Sequence, residues 1–87
     1  MKLYVANIDY TVNEMELEGL FQKFGEIEST KIIYDRITSR SRGFGFVEMP
    51  NSLEAQNAIS GLNGKELKGR ELKVSEAEDR RKFKVRF

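Results

Sequence analysis

Three aromatic residues, Tyr4, Phe44 and Phe46, lie in two short segments in which strand-forming residues alternate between two faces. Successive side chains of a strand point to opposite faces of a sheet. If Leu3 and Val47 face the core, the three rings therefore stand on the other face. Exposed aromatic faces are suited to stacking on unpaired nucleic-acid bases, whereas burial of the rings in a core would require a further layer to cover the sheet.

Six basic residues are candidates for binding the phosphates that accompany such bases. Two lie on or directly before the strands of the rings, two are predicted to face the same surface from other strands, and two lie in a polar loop. They are, in that order, Lys2 and Arg42, Lys31 and Lys73, and Arg36 and Arg40. The ordinary alternative is a solvated surface loop for the three arginines and a solubilising surface charge for the lysines.

The elements that must position these residues follow from hydrophobic periodicity. Strands are predicted over residues 2–6, 27–34, 43–49 and 72–75, with a polar loop over residues 35–41 and a small hairpin around residues 68–70. Asn13 and Asn51 each precede a glutamate by three residues, which is the capping-box spacing of a helix start. Gly25 is predicted to end the first helix in a left-handed conformation, and Gly61 to begin the break that ends the second.

The two helices carry apolar stripes that are predicted to pack against the sheet. These stripes comprise Met15, Leu17, Leu20, Phe21 and Phe24 in the first helix and Leu53, Ala55, Ala58, Ile59 and Leu62 in the second. The resulting order, βαββαβ, predicts a ferredoxin-like α+β sandwich, a four-stranded antiparallel sheet with two helices on one face. Gly43 and Gly45 are expected to let a helix approach closely behind the rings.

The composition narrows the possible functions. The chain has 87 residues, a formal net charge of +1, and neither cysteine nor histidine. Disulfides, thiolate metal sites and the usual histidine base are therefore excluded, and we expect no cofactor. No apolar run has the length of a membrane span or a signal-peptide core. We expect an intracellular protein with no membrane partner, located in the cytoplasm, with the nucleus left open as an alternative.

Two segments of the chain resemble the motifs of a known family. Residues 3–8 (LYVANI) resemble the six-residue RNP motif of the RNA-recognition-motif (RRM) family, and residues 42–49 (RGFGFVEM) its eight-residue RNP motif. The resemblance implies that Tyr4 stacks under one base. It also implies that Phe44 and Phe46 contact a neighbouring base and a sugar, and that Arg42 pairs with phosphate.

The chain departs from the family pattern at few positions. Ser39 stands where glycine is common, and Ile37 where a polar residue is common, and these two residues could alter the turn of their loop. Ala6 replaces a frequent glycine. The short format is similar to small single-RRM RNA-binding proteins of bacteria and plants. We expect an RRM domain over residues 1–77 and a basic tail over residues 78–87.

The expected function is that of a monomeric module that binds single-stranded RNA, in post-transcriptional regulation or RNA chaperoning. Single-stranded DNA stays open as a ligand, because nothing obvious selects the 2′-hydroxyl. A protein-interaction domain on the same fold is the alternative, and it predicts loss of the exposed rings. An enzyme is not expected, because histidine, cysteine and a glycine-rich phosphate loop are absent.

The tail leaves three interpretations open. Residues 80–87 alternate basic and apolar side chains. They suit a basic arm for RNA, a strand or lid that covers the sheet, or a mobile terminus, which is the default for a chain end.

Overall fold

The computed structural model describes residues 1–77, and it forms the predicted elements in the predicted order. The strands and helices are β1 (Lys2–Ala6), α1 (Glu14–Gln22), β2 (Ser29–Tyr34), β3 (Ser41–Glu48), α2 (Ser52–Leu62), β4 (Glu66–Leu67), β5 (Arg70–Glu71) and β6 (Lys73–Glu76). The boundaries differ from the predicted ones by one or two residues in three strands: β2 begins later than expected, β3 earlier and β6 later.

The main sheet has the strand order β2-β3-β1-β6, and every neighbouring pair is antiparallel. Strands β4 and β5 form a separate two-stranded hairpin, as predicted around residues 68–70. Both helices lie on one side of the main sheet, so the predicted ferredoxin-like sandwich is confirmed. The central position of β1 and β3 follows from their sequences, because their core-facing residues Leu3, Val5 and Val47 are fully buried.

Asparagine caps start both helices. The Oδ1 atom of Asn13 accepts the backbone N–H of Glu16 at 2.9 Å, and that of Asn51 accepts the N–H of Glu54 at 3.0 Å. Each cap satisfies one of the orphan donors at a helix start, so the predicted starts are confirmed. Tyr34 holds β2 to the start of α1, since its hydroxyl donates to Glu14 at 2.8 Å and this hydrogen bond raises the pKa of the tyrosine.

The predicted helix ends are wrong at both glycines. Helix α1 ends at Gln22, and Gly25 has a φ of 159°, far from the left-handed helical conformation. Helix α2 continues through Gly61 to Leu62. A Cβ at Gly61 would collide with the ring of Phe24, so this glycine makes room for the ring of Phe24, which follows α1 in the chain.

The core lies between the helices and the sheet. Its fully buried large side chains include Phe21 and Leu17 of α1 together with residues of β1 and β3. Two members of the predicted stripes are not in it, because Met15 is 83% and Leu53 70% exposed. Each lies two residues before a buried residue of its helix. At 3.6 residues per turn this separation places the side chain about 160° away from that residue, on the solvent side.

The glycines behind the rings serve a different purpose from the predicted one. A Cβ at Gly45 would collide with the backbone of Lys31 on the neighbouring strand β2. A Cβ at Gly43 would lie 3.3 Å from the ring of Tyr10 and 3.4 Å from the carbonyl oxygen of Ile8. The missing side chains therefore accommodate the adjacent strand and the β1–α1 loop, and the predicted approach of a helix is wrong.

Candidate nucleic-acid interface

The sheet face opposite the helices carries the side chains that alternate with the core. Strand pairing places Tyr4 between Phe46 on β3 and Ser75 on β6, and places Lys31 on β2 next to Phe46. The open face, as we name this surface, is formed by Lys2, Tyr4, Ala6, Ser29, Lys31, Arg42, Phe44, Phe46, Glu48, Lys73 and Ser75. Tertiary structure therefore brings residues from both ends of the chain into one surface.

The three predicted rings form a single cluster on the open face. The centroid of the Tyr4 ring lies 6.1 Å from that of Phe44 and 5.6 Å from that of Phe46, with interplanar angles of 44° and 51°. Tilted rings at these separations have a favourable aromatic geometry. All three side chains are partly accessible, so flat surfaces are available to a ligand.

The predicted lysines surround this cluster. The Nζ atom of Lys2 lies 4.7 Å from the centroid of the Phe46 ring, in a cation–π arrangement that the sequence did not indicate. Lys31 lies beside Phe46 in the strand register, and Lys73 lies opposite Ala6 on β6. The structure therefore places all three predicted lysines on the same face as the rings.

A β-bulge decides where Arg42 lies. The register between β2 and β3 shifts between Ile32 and Tyr34, opposite the start of β3. Gly43 has a φ of 82°, and its carbonyl oxygen accepts the N–H of Ile8 at 2.9 Å. Bulges of this kind redirect side chains. Here the exposed Arg42 lines a surface depression together with Phe44, in agreement with the prediction that it lies beside the rings.

Arg36 and Arg40 lie in the loop between β2 and β3, and both are exposed. The carboxylate of Asp35 organises this loop by accepting the N–H groups of Ile37 at 2.8 Å and Thr38 at 3.0 Å. These backbone donors, that of Thr38 first, lower the pKa of Asp35, and the charge of Arg42 lowers it further. The two arginines therefore lie on an ordered turn, but no contact of their side chains with the rings is formed within residues 1–77.

Ser39 adopts the conformation that a glycine would be expected to supply. Its φ is 60°, and its N–H donates to the carbonyl oxygen of Asp35 at 3.0 Å. Serine tolerates this left-handed conformation at a modest energetic cost. Serine at position 39, where the family commonly has glycine, therefore keeps the positive-φ turn, which the sequence alone did not decide. Ile37 is 92% exposed at the tip of the same loop.

The structure adds three residues that the sequence did not assign to the site. Asn7, Tyr10 and Arg70 form one wall of a depression of about 260 Å³ at the edge of the open face, which we name the edge groove. The groove is lined by Tyr4, Ala6, Asn7, Ile8, Tyr10, Arg42, Gly43, Phe44 and Arg70. No local sequence pattern indicates this site, because Arg70 belongs to the β4–β5 hairpin and lies far along the chain from Asn7 and Tyr10.

Charge is unevenly distributed over the open face. Glu48 lies opposite Lys2 in the register of β1 and β3, so this end of the face carries charges of both signs. Arg42, Arg70 and Lys73 lie towards the other end of β1, and among residues 1–77 no carboxylate lines the edge groove. An anionic strand should therefore be attracted most strongly to the groove end of the face.

Residues 1–77 contain no cluster of acidic or other ligating side chains that could hold a metal ion, and none of their helices is long and apolar enough to cross a membrane. The predicted tail lies outside the described residues. The last backbone contact before it joins the N–H of Ala77 to the carbonyl oxygen of Lys2 at 2.9 Å.

Comparison with curated proteins finds relatives over most of the chain. The 29 kDa chloroplastic ribonucleoprotein of Arabidopsis thaliana is 49% identical over 79 residues, which are 91% of this chain and 23% of that relative. The chain spans about a quarter of the length of this and similar relatives. The names of these relatives include the word chloroplastic, which points to an organelle, so the expectation of a cytoplasmic location is contradicted. The residues of the chain gave no indication of an organelle.

Comparison with solved structures gives the same fold. The crystal structure of RNA-binding protein PG1 has a TM-score of 0.88 at 48% identity, with 91% of this chain and 95% of that one covered. The Rna15 RRM with bound RNA (GU) has a TM-score of 0.82 at 28% identity, with 90% and 83% covered.

The sequence model of the family described as RNA recognition motif matches residues 3–73. This range contains both RNP-like segments, the whole ring cluster and the elements of the βαββαβ order, except for Lys2 of β1 and for the residues of β6 after Lys73. The resemblance, the fold class and the RNA-binding function that the two segments predicted are thereby confirmed, and the family suggests a non-enzymatic role. The chain belongs to the RNA recognition motif family.

Proposed function

We propose that this chain binds single-stranded RNA on the open face, with bases stacked on Tyr4, Phe44 and Phe46. The observation that carries the proposal is the ring cluster itself, in which the accessible rings of Phe44 and Phe46 lie 6.1 and 5.6 Å from the ring of Tyr4, on a face that neither α1 nor α2 covers. Unpaired bases have flat faces that match such rings, whereas the faces of paired bases are stacked inside a duplex.

Basic side chains around the rings provide the contacts to phosphate. Arg42 lies beside Phe44 and is the strongest candidate, because its guanidinium offers several donors to one phosphate. Lys2, Lys31 and Lys73 share the face, and Arg40 precedes it in the β2–β3 loop. These contacts position the strand, and they do not choose its sequence.

Support for RNA as the ligand comes from the family and from a structural neighbour whose title records bound RNA. The described face contains no group that would exclude DNA, so we extend the proposal to single-stranded DNA. Residues 1–77 act as one binding domain and as a monomer, without catalysis, within a role in RNA regulation or chaperoning. A peptide-binding role is not favoured, because it gives no reason for three exposed rings.

The test compares a random-sequence single strand with a perfect duplex of equal length by fluorescence anisotropy. We expect clear preference for the single strand in the unmodified chain, and loss of that binding in the Tyr4→Ala variant. Leu53→Ala is a matched control, because Leu53 is 70% exposed on a helix away from the open face. Equal or tighter affinity for the duplex would refute stacking on the sheet.

A further inference from the structure

The edge groove is a built feature of the fold rather than a gap between mobile side chains. Asn7 has a φ of 57° where β1 ends, and its Nδ2 atom donates to the carbonyl oxygen of Glu71 at 2.8 Å. Its Oδ1 atom accepts a hydrogen bond from Arg70 at 3.3 Å. One asparagine therefore joins the β1–α1 loop to the β4–β5 hairpin and fixes the guanidinium of Arg70 at the groove.

A second contact fixes the hairpin to the start of α1. Lys68 at the tip of the hairpin lies 3.0 Å from the carboxylate of Glu16 and donates to the hydroxyl of Thr11 at 3.3 Å. A half-exposed ion pair of this kind contributes little to the free energy of folding. Together with Asn7, however, it gives the hairpin two attachments, so the position of Arg70 is determined on both sides.

Tyr10 supplies the flat surface of the groove. Its side chain is 61% exposed, although its ring lies against the backbone of Gly43 and the guanidinium carbon of Arg70 lies 5.2 Å from the ring centroid. An exposed tyrosine that packs on an arginine presents a stacking platform, since bases stack both on aromatic rings and on guanidinium planes. The platform lies next to Phe44, one of the three rings of the open face.

The charge of the groove suits a phosphate. Arg42 and Arg70 both line it, and none of the described residues that line it is acidic. The nearby carboxylate of Asp9 is engaged with Thr11, whose N–H and hydroxyl donate to it at 2.9 and 2.6 Å. These hydrogen bonds lower the pKa of Asp9, and the charge of Arg70 lowers it further, so one negative charge lies near the two positive charges that line the groove.

We infer that the edge groove is a further nucleotide site, which binds an unpaired nucleotide of the same strand just beyond those on the three rings. The base of this nucleotide stacks on the Tyr10–Arg70 platform, and its phosphate lies between Arg42 and Arg70. The inference rests on the proposed function. It extends the bound length of the strand from the sheet to the β4–β5 hairpin.

The test measures the affinity of random-sequence RNA strands of three and six nucleotides. Three nucleotides suffice for the rings, whereas six also reach the groove. We expect Tyr10→Ala to weaken binding of the six-nucleotide strand about 5-fold or more, as for one lost stacking contact, and to change the affinity of the three-nucleotide strand less than twofold. Tyr10→Phe keeps the ring and should bind both strands as the unmodified chain does.

Arg70→Gln provides a second measurement. Loss of one phosphate contact should make the slope of log affinity against log salt shallower by about 0.7 for the six-nucleotide strand only. Met15→Ala is a control, because Met15 is 83% exposed on α1.

The outcomes separate the two proposals. If Tyr10→Ala leaves the affinity of the six-nucleotide strand unchanged while Phe46→Ala abolishes binding of both strands, the groove inference is overturned and the ring mechanism stands. If the unmodified chain binds neither strand, both are overturned. Equal losses for both strands in Tyr10→Ala would also overturn the inference, because the groove would then not be specific for the longer strand.

Discussion

Replacement of Phe46 by alanine separates the binding role of the rings from their role in stability. Phe46 is paired with Tyr4 across the strands, at a ring separation of 5.6 Å, and Lys2 lies over its ring. It is only partly buried, whereas Phe21 in the core is fully buried. The two phenylalanines therefore form a matched pair for the same truncation.

The magnitudes follow from these contacts. A lost stacking platform weakens binding by about 1–3 kcal/mol, or roughly 5- to 150-fold in affinity. The loss of the ring pair with Tyr4 and of the contact with Lys2 should lower the free energy of unfolding by about 1–2 kcal/mol. Phe21→Ala leaves a cavity in the core and should cost about 3–5 kcal/mol.

Anisotropy titration with a single-stranded RNA measures the first quantity, and urea denaturation measures the second. We expect Phe46→Ala to lose most of its binding while it stays folded, and Phe21→Ala to lose stability first. A Phe46→Ala variant that binds as tightly as the unmodified chain, but unfolds as readily as Phe21→Ala, would show that the ring belongs to the core and not to the interface.

Three further predictions concern charge. For two to four neutralised phosphates, the slope of log affinity against log salt should be roughly −1.5 to −3, and Arg42→Gln should make it shallower by about 0.7; an unchanged slope would exclude a phosphate contact. Because the pKa of Asp35 is lowered in the folded chain, its carboxylate stabilises the β2–β3 loop above the ordinary pKa of 3.8, and this stabilisation is lost as the pH falls through the lowered value. The amide resonances of Ile37 and Thr38 should therefore titrate with a midpoint below 3.8, and a midpoint at or above it would contradict the loop geometry. Removal of residues 80–87 deletes five basic residues, so we expect slightly weaker binding and a shallower salt slope; a several-fold gain in affinity would instead establish a lid.

Local patterns were sufficient wherever one short segment decides the structure. The asparagine caps at Asn13 and Asn51 could be predicted, because a cap needs only a side-chain acceptor and an N–H three residues later. The helix ends could not, because Gly61 serves the packing of Phe24 rather than a left-handed turn. Met15 and Leu53 were predicted to lie in the core because they are apolar, but their angular positions on the two helices place them on the solvent side.

The sequence by itself determined the ring cluster of Tyr4, Phe44 and Phe46 and the face on which it lies, because strand alternation with a period of two assigns every side chain to a face. Only the tertiary structure decided what surrounds that cluster. The bulge at Gly43, the contact of Lys2 with the Phe46 ring, and the edge groove depend on pairings between residues far apart in the chain. Asn7 and Arg70 are separated by 63 residues and still share a hydrogen bond. A local periodicity does not encode such a contact, because the contact forms only when folding brings distant segments together.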